Sequence, residues 1–193
     1  MHDLSDSVHL FEEEGVRCLQ GLHPHIGLAR SEGLNVSRLL CHPELMASWA
    51  EFETAEPEFA ARVRKLMTSR KHLTMATLRR DGSPRISGTE VEFTDGQLRI
   101  GSMPGAVKAT DLRRDPRVAI HGPTIDPPAN KPVGWKGEAK IAGTAREVES
   151  GSDAHRFLID VTEVVITRLN EAGNRLVVES WNPGRGYRSM ERE

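Results

Sequence analysis

The sequence predicts a mainly β protein, an antiparallel sheet closing into a barrel with two or three flanking helices. Three observations predict it. Six or seven short apolar runs lie between residues 72 and 181, most of them with period-two alternation. Turn signals at Asp81-Gly82 and Asp95-Gly96 join neighbouring runs, and strands joined by tight hairpins form antiparallel sheets that manage their edges by closing. Finally, the sequence holds no G-x-G-x-x-G fingerprint and no G-x-x-x-x-G-K-[ST] loop, which disfavours a doubly wound nucleotide fold.

The elements follow in order. Residues 1–45 read as an arm, either flexible or an over-long start, with Met46 a credible beginning for a domain over 46–193. The arm carries Cys18, Cys41, His2, His9, His23, His25 and His42, and one amphipathic stretch, Leu10 to Leu19. Its histidines and cysteines lack the close pairing of zinc ligands, so no metal site is read there. A helix is expected over about 55–70, with Phe59, Val63, Leu66 and Met67 as its apolar stripe and Pro57 in its first turn.

His72 to Leu78 is nearly continuous and apolar, which predicts a strand covered on both sides. The return strand, Arg85 to Phe93, changes parity between Ile86 and Val91, and a bulge at Gly88 would absorb the shift. Gln97 to Ser102 is a third strand. Pro104-Gly105 leads into a short helix over about 105–114, and Arg117 to His121 is a fourth strand. Residues 122–134 are a Pro-rich loop. Trp135 to Val148 alternates as a long strand with one wet face. A short helix over about 151–158, strands over 161–169 and 175–181, and an irregular tail complete the chain.

Composition narrows the function. Apolar residues are 37%, charged residues 28% and the net charge is −2, ordinary values for a soluble globular protein and not those of a nucleic-acid module. No apolar run approaches the ~20 residues of a membrane span. The start, Met1-His2-Asp3-Leu4, resembles no secretory signal. Two distant cysteines outside any C-x-x-C pattern point to a cytoplasmic protein without a disulfide scaffold.

The most informative stretch is Gly101-Ser102-Met103-Pro104-Gly105-Ala106-Val107-Lys108. A strand ends in small residues and turns into a helix, whose free N–H groups favour an anion. Lys108 adds a point charge and Ser102 a hydroxyl; a phosphate is the natural ligand, although a plain turn with an exposed lysine has the same sequence. Arg85 is either a phosphate clamp or a solvated edge residue. Arg113, Arg114 and Arg117, flanked by Asp111 and Asp115, form either a basic patch or a self-paired helix end. Trp181 either stacks on a planar ring or fills the core. No nucleophile elbow and no H-E-x-x-H occur, and His72, His121 and His155 are isolated. That poverty suits an enzyme whose cofactor carries the chemistry.

Met75 to Ser87, with Arg79-Arg80-Asp81-Gly82 at its turn, resembles the opening hairpin of the pyridoxamine 5′-phosphate oxidase-like superfamily. Lys108-Ala109-Thr110-Asp111-Leu112-Arg113-Arg114-Asp115-Pro116-Arg117 is similar to that family's lysine-to-Asp-Pro-Arg segment. Trp135 to Ala145 resembles its tryptophan-led strand. The resemblance covers about residues 55–182 and implies an FMN-binding split barrel working as a homodimer, with two cofactor sites at the subunit interface. It implies that Lys108 meets the cofactor phosphate with Ser102 and Arg85 nearby. It also implies that Ile86, Ser87, Gly101 and Met103 line the flavin ring and that Trp181 approaches the partner's site. The family's substrate-gripping Arg-Leu-x-Pro segment is missing from Trp181 to Tyr187, so a true pyridoxamine phosphate oxidase is not expected. The expected activity is hydride transfer between FMN and a small organic substrate, with catalytic side chains unassigned. The alternatives are a reductase using an 8-hydroxy-5-deazaflavin coenzyme, whose anionic tail would draw on Arg79, Arg113 and Arg114, and a flavin carrier without turnover. A basic interaction module built on Arg113, Arg114 and Arg117 is disfavoured by the net charge.

Overall fold

The computed structural model describes residues 45–130, 132–148 and 154–192. The readings made for residues 1–44 lie outside them. Two helices come first, where one was expected: α1 (Trp49–Ala55) and α2 (Pro57–Met67). Ser48 and Glu51 form a capping box that starts α1. Pro57 sits at the first position of α2, where no N–H is needed. Trp49, Phe52, Phe59, Val63 and Met67 are buried.

Nine strands follow among the described residues, not six or seven: β1 (Leu73–Leu78), β2 (Pro84–Thr89), β3 (Val91–Thr94), β4 (Gln97–Ser102), β5 (Arg117–His121), β6 (Glu138–Val148), β7 (His155–Leu169), β8 (Leu176–Asn182) and β9 (Gly186–Arg192). A third helix, α3 (Val107–Arg114), lies between β4 and β5. All pairings are antiparallel, in the order β2-β1-β5-β6-β7-β4-β3, with β8 and β9 added on the far side of β7. β2 and β3 are separated by Glu90 alone yet stand at opposite ends of that path. The sheet must therefore curl until its ends meet, and the seam between them carries no ladder: it is a split barrel.

This topology corrects several expectations. The parity change between Ile86 and Val91 comes from a change of partner at Glu90 and not from a bulge at Gly88: β2 pairs with β1, and β3 with β4. The register shift lies at Ala142/Gly143 in β6. There a Cβ on Gly143 would stand 2.4 Å from the Asp160 carbonyl oxygen, so the close approach demands glycine. β1 is covered on one face only: Leu73, Met75 and Thr77 are buried while Thr74 is exposed. Trp135 lies before β6, its indole N–H bonded to the Ile125 carbonyl. Residues 155–158 are the start of β7 and not a helix.

The irregular tail is β9. The Asn182 side chain accepts from the N–H groups of Gly184 and Arg185 and turns the chain back onto β8. A buried carboxylate then fastens this hairpin. Glu179 accepts from Arg62 at 2.8 and 2.7 Å, from Arg168 at 2.7 Å and from the Tyr187 hydroxyl at 2.6 Å, joining α2, β7, β8 and β9. Burial alone would raise the Glu179 pKa, but these donors outweigh it and hold it at about 2. No helix among the described residues is long and apolar enough to cross a membrane.

Candidate functional site: a cleft at the barrel seam

A cleft of about 1020 Å³ opens at the seam. The end of β2 and the Glu90 corner form one wall, β4 and the start of β7 another, and α3 begins above them. Gly88 and Gly101 face it from the two strands, and a Cβ built on either would meet nothing within 4 Å. The walls at these points are bare backbone, which admits a flat group closely.

One end is built for an anion. Ala106 starts α3 without a capping side chain, and no acidic residue occupies its first turn. Ser102, at the end of β4, lines the cleft and is buried, and its Oγ has no hydrogen-bond partner among the described residues. A buried hydroxyl without a partner is costly, and a ligand oxygen would satisfy it. Lys108 also lines the cleft and donates to the Gly88 carbonyl at 2.7 Å, leaving donors to spare. Burial pushes its pKa down, against the pull of Glu90.

The sequence-predicted residues divide. Gly101, Ser102, Met103 and Lys108 line the cleft together. Arg85, Ile86 and Ser87 stand on β2 just before it. Arg85 is turned away: its Nε donates at 2.6 Å to Asp111, a buried carboxylate on α3 that also accepts from Thr77 and Arg114. Burial opposes the Asp111 charge, but these three donors hold its pKa below the usual range. Arg85 is thus a strut between β2 and α3. Ile86 is 75% exposed on the outer face of β2. Trp181 is a core residue, 5% exposed, its ring 4.6 Å from Phe52.

The arginines after Lys108 are also engaged. Arg113 grips Glu147 through two bonds and reaches His155 Nδ1 at 2.9 Å. Arg114 donates to Asp111 and to the Leu78 carbonyl. Arg117 pairs with Asp115, and that pairing is the main reason the Asp115 pKa falls to about 2. Arg114 and Arg117 pair within the segment, while Arg113 ties α3 to β6 and β7.

Comparison with known proteins places this architecture. The family model described as pyridoxamine 5′-phosphate oxidase matches residues 59–179. The chain belongs to the pyridoxamine 5′-phosphate oxidase family. Among solved structures, this family member is similar to a pyridoxamine 5′-phosphate oxidase-related, FMN binding protein from Nostoc punctiforme, with 12% identity and TM-score 0.52 over 72% of this chain and 96% of that one. It is also similar to PhzG from Burkholderia lata, crystallised with tetrahydrophenazine-1-carboxylic acid, with 11% identity and TM-score 0.51 over 80% and 98% of the two chains. ChuZ from Campylobacter jejuni gives 11% identity and TM-score 0.51 over 67% and 61%. At these identities the likeness establishes the split-barrel fold. No curated protein matches the chain.

Sequence reasoning missed several cleft residues, among them Glu90, Arg156 and Leu158. Arg156 and Leu158 were hidden because their stretch reads as a helix, which removes their pairing with Gly101 and Arg99.

Proposed function

We propose that the chain binds FMN in the seam cleft and, as a homodimer, transfers hydride between the flavin and a small organic substrate. The observation that carries this reading is the unpartnered Ser102 hydroxyl beside the uncapped start of α3 and the Lys108 ammonium. All three line the one cleft, and a phosphate monoester is the ligand chemistry that suits a hydroxyl, a helix start and an ammonium together. Gly88 and Gly101 leave backbone walls against which a planar ring fits. When bound, FMN supplies a two-electron acceptor and donor; the chain supplies position.

The side chains of the cleft bind and orient. Lys108 holds the phosphate and, through Gly88, ties α3 to β2. Asp111 fixes α3 from beneath through Arg85 and Thr77. The His72 side chain is 80% exposed and sits 3.6 Å from Glu90.

The arginines favour FMN over a deazaflavin coenzyme. Of the three arginines that a longer anionic tail would use, Arg113 and Arg114 already hold Glu147 and Asp111, which leaves the exposed Arg79. A second copy is favoured by the outer face of β1, β2 and β5. Ile86 and Ala119 are exposed there, on either side of Ala76, a short apolar strip that a second copy would cover.

The test is titration of cofactor-free protein with FMN and with the deazaflavin coenzyme, followed by flavin fluorescence. Saturable binding of FMN, and its reduction by a nicotinamide donor or a substrate, is expected. Binding without reduction by any donor would favour the carrier; binding of neither would overturn the flavin reading.

A further inference from the structure

The phosphate site proposed above is one cation short, and the structure points to which residue completes it. A phosphate monoester carries a charge of about −1.5 to −2 near neutral pH. Lys108 offers a single positive charge, and Glu90 stands close enough to act on it. The residue that sequence reasoning placed beside it, Arg85, is tied to Asp111 at 2.6 Å and does not line the cleft.

Among the described residues lining the cleft, three others can carry positive charge: His72, Arg99 and Arg156. His72 lies 3.6 Å from the Glu90 carboxylate, on the opposite side of the seam from β4. Arg99 donates to Asp95 at 3.0 Å, at the turn preceding β4 and three residues from Ser102. Arg156 differs from both. It is exposed, and it makes no ion pair among the described residues. Antiparallel pairing sets it directly opposite Gly101, on the same exposed face of the sheet. Gly101 has no side chain, so the space beside the Arg156 backbone is open. Directly opposed residues have Cα atoms about 4.5–5.5 Å apart, within easy reach of an arginine fork.

We infer that Arg156 is the second cation of the phosphate site, clamping the phosphate from β7 while Lys108 holds it from α3. This inference rests on the flavin reading. Arg156 thereby takes the place expected for Arg85, and Arg85 becomes a support for α3. The site then offers two full positive charges and a helix start to a dianion, with the ring lying toward Gly88 and Gly101.

The experiment compares FMN with riboflavin, which has the same ring and no phosphate, by equilibrium fluorescence titration of the full chain. Arg156→Gln is expected to weaken FMN binding by about tenfold or more, the loss of one charge-assisted contact. Riboflavin affinity should be unchanged, Arg156→Lys should recover part of the loss, and the salt dependence of FMN binding should fall. Because Arg156 is exposed, the variant is expected to fold; its circular dichroism and unfolding midpoint should match wild type. Unchanged FMN affinity, or equal losses for FMN and riboflavin, would overturn the assignment while leaving the flavin reading intact. If wild type binds neither ligand, the flavin reading fails and this inference with it.

Discussion

At the scale of single residues, Lys108 and Glu179 are charges spent in opposite ways. Lys108 is held back: half-buried, its pKa pushed down, one hydrogen bond to Gly88 and donors left over. Lys108→Ala should weaken FMN binding by about 1–3 kcal/mol, read from equilibrium titration. Burial lowers the pH at which its proton is lost, so FMN affinity should fall as the pH rises toward the alkaline range. Lys108→Arg, which stays charged, should flatten that fall. Glu179 is spent entirely on the fold. A glutamate whose ordinary pKa is 4.5 is held at about 2 by two arginines and a tyrosine. Its folded pKa is depressed, so its stabilisation is complete above pH 4.5 and is lost as the pH falls toward 2. That difference corresponds to about 3 kcal/mol. Urea midpoints of wild type should drop between pH 6 and pH 3, and Glu179→Gln should be less stable at neutral pH with a flatter profile.

At the scale of elements, the sequence was readable wherever a signal was local. The β4–turn–α3 unit was legible because small residues, Pro104 and Lys108 lie within eight positions. Gln97 to Ser102 and Arg117 to His121 were read at their observed boundaries. What escaped depended on distant partners. Nothing near Arg85 announces Asp111, and nothing near Trp181 announces Phe52. The start of β7 looks helical until β4 and β6 supply its ladder. β9 looks like a tail until Tyr187 reaches Glu179. Gly143 is a further case: its need for glycine comes from Asp160 across the β6–β7 pair. Gly143→Ala places a carbon where the backbone already stands, and it should cost about 1–3 kcal/mol, measured as a shift in denaturation midpoint without change of slope.

At the scale of the whole molecule, antiparallel barrel closure was predictable from hairpins, but the seam was not. It arises because the single residue Glu90 joins strands at opposite ends of the sheet. The seam leaves a cleft walled by glycines and headed by a helix start, and the chemistry of the proposal follows from that gap. The same sheet exposes Ile86 and Ala119 on its outer face, which is the surface proposed for the second copy. Cofactor site and dimer therefore belong to one account and are tested together.

The most direct test is sedimentation velocity of the full chain mixed with FMN, recorded at the flavin band near 450 nm. The account predicts that flavin absorbance moves with a species of twice 21.4 kDa at one flavin per chain. Flavin that stays behind while the protein sediments without it would contradict the account at its centre.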